Sequence, residues 1–565
     1  MNKYFRLIAL SLFITGCTST DVVLKTSPYT MKSGGEVPLL QQGLQVKHAD
    51  LKFEVFPANK RISGSTTLTL HSDTTRTAIA VDLDQVFTIS SISINGTELA
   101  KDAYRNDLGL LSMQTPAPVQ GDFSVSINYA GSPREAVKAP WDGGFVWSKT
   151  PSGADWIATA DQGEGCDLFW PCIDHPFGEP LSADIRITVP KNLKAVTNGV
   201  FIDETSQGET NTFHWQTRSV HNTYGIALNI APYEKIQQTY HSIYGNEFDV
   251  VYYHLPETTE KAKILFAEIP PMLDFFERMI GPFPFSQEKA GFVETPHLGM
   301  EHQTINAYGN EYKKDAYGFD WLMQHEFAHE WFANQLTAAN SDHMWLQEGF
   351  GAYMQPLFTQ YLHGDMAYKA RLFEQRKALD NQFPMVSNKS LEVEQVFNKD
   401  IGPGGDVYTK GSLMLHSLRE LMGDEAFFKA VRIMTYGTDN PQPGHLTPRL
   451  GTSDEFIQIV NQVTGKDLTW FFNVYLFQAK LPKLEVERTD KQIILQWRTE
   501  NNVAFPMPVE VSINNQLHVL DLSQPQSLPV SPKDVVIVDP DSKVLRYDQA
   551  IADYQAFKQA QEQNK

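Results

Sequence analysis

At 565 residues and 42% hydrophobic composition, the chain carries more apolar material than one core organises, so two to four folded domains are expected. A formal charge of −20, from 67 acidic and 47 basic residues, argues against a nucleic-acid surface and is common in soluble secreted proteins.

The first segment, "MNKYFRLIALSLFITGCTST", places Lys3 and Arg6 before an apolar run from Leu7 to Ile14 that is too short to span a bilayer. It reads as a signal peptide over 1–16. The run "ITGC" resembles a bacterial lipobox, which implies a lipid on Cys17 as the mature N-terminus; the alternative is an ordinary cleaved signal with an incidental cysteine. Thr18 is not the Asp associated with inner-membrane retention, so the resemblance implies the outer membrane, with the folded body in the periplasm. Polar residues with Gly, Ser and Pro then predict a tether over 17–44.

Period-two alternation in "STTLTLHS", "FSVSINYAG" and "ADIRITVP" predicts an N-terminal antiparallel β domain over 45–240. With Cys17 assigned to the lipid, Cys166 and Cys172 form an even pair, readable as a disulfide or as two buried thiols. Helical periodicity governs 241–480. Pro270 and Pro271 must kink or divide its first helix, and "TSDEFIQIVNQVTG" carries a capping box, Thr452 with Glu455, closing on Gly465. Alternation returns over 481–547 as a small C-terminal β-sandwich with a turn at Asn514 and Asn515, and 548–565 reads as a polar helix or tail.

The chemistry concentrates in "QHEFAHEWFANQLTAANSDHMWLQEGFGAY". The stretch "GFDWLMQHEFAHEWFANQL" predicts one buried helix, on which His325 and His329, four apart, share a face and aim two imidazoles at one point. Two such histidines with a glutamate after the first form a zinc-protease signature, and Glu326, rotated away from the pair, is placed to act as base on a water. A catalytic zinc needs a third protein ligand, and Glu348 can supply it if "TAANSD" is a loop, with Asn340, Ser341 and Asp342 as helix-capping candidates, that folds a second helix back. One Zn²⁺ per chain is expected. The metzincin pattern needs Gly and His where this chain has Phe332 and Gln335. A phosphate loop at "GPGGDVYTKGS" fails because Lys410 precedes Gly411.

"HEFAHEWF" followed by "WLQEGF" resembles the membrane alanyl aminopeptidase and leukotriene hydrolase family of zinc metallopeptidases, the gluzincin aminopeptidases. "PHLGMEHQT" is similar to that family's exopeptidase motif, matching at Gly299, Met300 and Glu301 and departing at Leu298 and His302. "DQGEGCDLFWPCIDHP" matches a further segment at Gln162, Glu164, Cys172 and Asp174 and departs at Trp170 and His175, while "VYTKGSLML" resembles the stretch that supplies a catalytic tyrosine, here Tyr408.

The resemblance implies a multidomain α+β fold: an N-terminal antiparallel β domain, a thermolysin-like, mainly helical catalytic domain and a small C-terminal β-sandwich. It implies removal of N-terminal residues from peptides bearing a free N-terminus, with Glu326 as base and Tyr408 stabilising the oxyanion. Glu301 and Glu164 would bind the α-ammonium, and Met300 is placed to line the side-chain pocket. Longer relatives cover the site with a helical C-terminal domain, expected here to be absent. A non-peptidic hydrolase, of epoxide or amide, and a non-catalytic peptide-binding lipoprotein are the alternatives. His175, His302 and His343 are expected to be structural.

Overall fold

The alternating residues of the N-terminal half pair as expected, but into two layers. The computed structural model describes residues 24–444 and 446–563; the expected signal peptide and the lipid on Cys17 lie outside the described residues. A nine-stranded sheet is centred on two long strands, Arg61–Asp82 and Leu110–Gly131, flanked by Leu44–Phe56 and Thr88–Ile94. A four-stranded sheet of Gly144–Lys149, Asp155–Ala160, Lys194–Val196 and Asn229–Ala231 is the second layer. Leu51, Phe53, Ile62, Leu68, Phe145, Phe169 and Trp170 fill the core between them. The domain is not wholly antiparallel, since Leu44–Phe56 pairs in parallel with Ala183–Pro190, Leu51 opposite Ile185. Alternation reports which face of a strand is buried, not which way its neighbour runs.

The expected tether is a folded strap from residue 24 onward. Thr26 donates to Asp84 at 2.6 Å, the Tyr29 hydroxyl and Gln41 amide donate to Asp82 at 2.8 and 2.7 Å, and the Ser33 hydroxyl donates to Asp174 at 3.1 Å. At its other edge the strap meets the helical domain: Val393 N–H donates to the Ser33 carbonyl at 3.0 Å and Lys32 pairs with Glu392 at 2.9 Å. A polar, Gly/Ser/Pro-rich composition looks like a linker because it lacks apolar periodicity. Buried carboxylates such as Asp82 supply the hydrogen-bond partners that make it order.

Glu234–His241, expected in the β domain, pairs instead with Glu247–His254 in the five-stranded sheet of the helical domain. That sheet ends on the short edge strand Gly299–Met300, next to Asn306–Tyr308. Around it pack α1 (Thr259–Phe266), α2 (Ile269–Met279), α3 (Trp321–Ala328), α4 (Trp345–His363), α5 (Asp365–Arg376), α6 (Val393–Phe397) and α7 (Asp406–Met422). Pro270 and Pro271 divide α1 from α2 by occupying the first turn of the second helix, where a missing N–H costs nothing.

Beyond α8 (Asp424–Tyr436), helix α9 (Ser453–Thr464) is capped by the Thr452 side chain, which accepts from Glu455 N–H at 3.1 Å, and it closes on left-handed Gly465. The reciprocal half of the expected capping box is missing, because Glu455 pairs with Arg449. After α10 (Thr469–Tyr475) come two three-stranded antiparallel sheets, with Asn514 and Asn515, both at positive φ, turning Val509–Ile513 into Gln516–Leu520. Leu484, Ile493, Leu495, Trp497, Val509 and Val511 of these sheets join the same core as the helical domain. The closing helix α11 (Gln549–Gln563) docks through Gln555, whose amide donates to the Lys377 and Leu379 carbonyls. Among the described residues, no helix is long and apolar enough to cross a membrane.

Candidate active site

Asp320 starts the helix that carries the signature by accepting from the Leu322 and Met323 N–H groups at 3.0 and 3.1 Å. α3 is shorter than expected. After Ala328 the chain widens into a π-type turn, Glu330–Gln335, with Phe332 and Ala333 outside helical geometry, and enters the strand Leu336–Ala338. Helix-forming composition did not reveal this break, which tertiary bonds hold open. The His329 ring meets the Phe332 carbonyl through Nδ1 at 2.9 Å, which turns Nε2 toward His325 and Glu348; against burial, the Glu348 carboxylate and then Glu301 and Glu326 raise the imidazole to about 10, so positive charge is favoured at this point. The Asn334 amide donates to the Glu301 carbonyl at 3.1 Å.

The expected loop and returning helix are present. Asn340 caps a short turn, Ser341–His343, before α4 brings Glu348 to the histidines; Asp342 accepts instead from the N–H groups of Ser387 and Asn388. His325 Nε2 and His329 Nε2 lie 3.3 Å apart, and Glu348 Oε2 lies 3.8 and 3.3 Å from them. Two glycines of α4 permit this closeness. A Cβ on Gly351 would sit 3.0 Å from the His329 ring, and one on Gly411 of α7 would sit 2.8 Å from the Gly349 Cα. The second contact seats α7 against α4 and delivers Tyr408, whose ring centre is 6.0 Å from that of His325.

Three donor atoms converging with Glu348 Oε2 buried and without a hydrogen-bond partner fit a divalent cation. Two imidazole nitrogens and a carboxylate oxygen facing one point are stabilised by positive charge placed there. The electrostatics agree. Burial first, then Glu301, pushes the Glu326 carboxyl well up; burial, then nearby Glu348, raises Glu301. Burial, then Glu348, Glu301 and Glu326, pushes the Tyr408 phenol far up, so it keeps its proton and stays a donor.

All of these groups line one cavity of about 640 Å³, together with Gln162, Glu164, Leu298, Gly299 and Met300. Gly299 lets the Glu326 carboxyl lie against the strand: a Cβ there would sit 2.6 Å from Glu326 Oε1 and displace it. Glu301, 4% exposed, accepts from the Gln162 amide at 2.6 Å and from the Tyr224 hydroxyl at 2.9 Å through the same oxygen. Gln162 is thus a support for Glu301. Glu164 also faces the cavity, but its Oε1 accepts from the Gly143 N–H at 3.0 Å, and burial raises its carboxyl to about 7. Glu164 thus anchors a loop through one oxygen, while its Oε2, buried without a hydrogen-bond partner, stays in the same cavity as Glu301.

Cys166 and Cys172, left open by the sequence, form a disulfide with Cα atoms 6.3 Å apart, just after Gln162 and Glu164. His302 is buried without a ring partner, burial holding its imidazole neutral, and His343 meets the Ser453 hydroxyl at 2.9 Å. His175 caps the Pro176–Gly178 turn. Sequence reasoning missed Tyr224, which sits in a 3₁₀ turn in "HNTYGIAL", a run without any motif. It also missed Glu330, which accepts from Thr304 N–H and the Asn306 amide at 2.8 Å each, bracing the chain that follows Glu301.

The fold and site together define a protein with a two-histidine, one-carboxylate metal centre in a cleft between a β domain and a mainly helical domain. Residues 45–224 match the peptidase M1 N-terminal domain and residues 300–475 the peptidase family M1 domain. The chain belongs to the peptidase M1 family. A probable aminopeptidase 2 from Sulfurisphaera tokodaii is 21% identical over 428 residues, 70% of this chain and 51% of that protein. The human endoplasmic reticulum aminopeptidase 1 is 24% identical over 330 residues, 54% of this chain and 33% of that one. The chain thus spans about half or less of these curated relatives. Among solved structures, an M1 zinc metallopeptidase from Deinococcus radiodurans shares the fold with a TM-score of 0.64 and 22% identity, covering 80% of this chain and 96% of that one. Legionella pneumophila aminopeptidase A matches with a TM-score of 0.72 and 17% identity, covering 91% of this chain and 61% of that one.

Proposed function

We propose that this chain is a zinc-dependent aminopeptidase that removes single residues from the free N-terminus of peptides. The observation that carries the reading is Glu301: a buried carboxylate, held by Gln162 and Tyr224, in the same cavity as the His325, His329 and Glu348 triad. A substrate α-ammonium pairs with it, and this fixes the first peptide bond beside the triad. His325, His329 and Glu348 would hold the zinc, whose positive charge would polarise the scissile carbonyl and acidify a water. Glu326 accepts a proton from the attacking water and returns it to the leaving nitrogen as the C–N bond breaks. The Tyr408 hydroxyl donates to the oxyanion that forms between these events, where a preset donor acts on charge absent from the ground state.

A panel of aminoacyl fluorogenic amides, each paired with its N-acetylated form, tests the reading. The free amines are expected to be cleaved, and the acetylated partners to lose at least about a hundredfold in kcat/KM, because acetylation removes the cation that would pair with the buried Glu301 carboxylate. Equal rates for the two forms would refute exopeptidase action.

We also propose that Cys17 is lipidated and tethers the body to the outer membrane, facing the periplasm. The Cys166–Cys172 disulfide supports an oxidising compartment. Labelled palmitate should enter the wild-type chain and not Cys17→Ser; equal labelling, or none in either, would rule the anchor out.

A further inference from the structure

The loop between the first and second sheets of the β domain carries two large apolar side chains that the fold leaves in solvent, Val137 at 76% and Trp141 at 62% exposure. Trp141 is not a stray surface residue. It lines the mouth of the active-site cavity with Pro140 and Asp142, beside Gln162, Gly163 and Glu164. The loop is fixed there from below. Gly143 N–H donates to Glu164, and Arg134 binds both the Gly143 carbonyl and Asp142. Gly143 has no room for a side chain, since a Cβ would lie 2.1 Å from the Ala160 carbonyl oxygen and 2.6 Å from Glu164 Oε2. A rigid loop base under an exposed indole is a preset surface: the ring is held where a ligand side chain can cover it, and little entropy is lost when one does.

Its position in the cleft says which part of a substrate that is. Gln162, in the same stretch of chain as the anchoring Glu164, donates to Glu301. Trp141 therefore stands at the amino end of the cleft, with Leu298 and Met300 as further apolar lining. Lys138 adds a sign to the selection. Its ammonium lies 5.1 Å from the Trp141 ring centre, already in the cation–π position. A second cation from a substrate would meet that charge, whereas an aromatic or long aliphatic side chain would not.

We propose that Trp141 is a specificity-determining residue of this site, packing against the side chain of a substrate's N-terminal residue and favouring large apolar and aromatic residues over small ones, with Lys138 disfavouring cationic ones. The proposal rests on the aminopeptidase reading given above. Because the indole is exposed and the loop base does not involve it, Trp141→Ala removes contact area without removing the loop's anchors.

The experiment compares phenylalanyl, leucyl, alanyl and arginyl fluorogenic amides on wild type, Trp141→Ala, Trp141→Phe and Lys138→Ala. Trp141→Ala is expected to raise KM for the phenylalanyl and leucyl substrates about fivefold to tenfold with kcat nearly unchanged, to leave the alanyl substrate within about twofold, and to be rescued by Trp141→Phe. Lys138→Ala is expected to improve the arginyl substrate a few-fold relative to the leucyl one. The same variants in the Glu326→Gln background, titrated calorimetrically with phenylalanyl-alanine and alanyl-alanine, read binding without turnover. If no amide is cleaved but the indole still governs the calorimetric preference, the aminopeptidase reading fails and this one stands. A uniform loss across all side chains, or no change in either assay, overturns it.

Discussion

Glu326→Gln is expected to lower kcat by roughly a hundredfold to ten-thousandfold, the range that a positioned general base contributes, while zinc stays bound at one equivalent. The reasons are geometric. Glu326 lies in the cavity and shares a second converging group with Glu301 and His329, but it is not one of the His325, His329 and Glu348 donors, so replacing its carboxylate with an amide leaves those three in place. The amide fills the same space against Gly299, whose missing Cβ makes that contact possible. What is lost is an oxygen able to take a proton. Metal analysis beside steady-state kinetics checks both halves, and a Glu326→Gln enzyme with wild-type turnover would show that the base lies elsewhere.

His329→Ala should do more, because it removes a ligand rather than a base. Its imidazole is 1% exposed, tied to the Phe332 carbonyl on one nitrogen and facing Glu348 and His325 with the other. Without it, two donors remain where a catalytic zinc needs three, and both zinc content and activity should fall to background. Stability follows by mass action: zinc at about a thousand times its Kd adds about 4 kcal/mol to the folded state, so a chelator should lower the wild-type melting temperature and leave the variant unmoved. A variant that keeps stoichiometric zinc would mean the triad is not the metal site.

The i, i+4 spacing of His325 and His329 was legible because one helical turn fixes it locally, whatever the rest of the chain does. The prolines dividing α1 from α2, the Thr452 cap and the Asn514–Asn515 turn were legible for the same reason, each acting within a few residues. The strap at 24–44 was not. Its order comes from Asp82, Asp84 and Asp174, far along the chain, and a polar stretch gives no sign of partners it has yet to meet. The break after Ala328 hid equally well, because helix propensity is weak beside the bonds that His329, Glu330 and Asn334 make to distant backbone.

By itself, then, the sequence determined the chemistry on offer: two imidazoles on one face, a carboxylate beside them, a further carboxylate on a returning helix, and a β domain ahead of a helical one. Tertiary structure alone decided that Tyr224 and Gln162 share one oxygen of Glu301, that Glu164 grips a loop, and that Trp141 stands uncovered at the mouth. The physical reason is range: helix faces, caps and turns are set by torsions within one turn of chain, whereas a buried carboxylate's partners and an indole's exposure depend on which remote surfaces pack together.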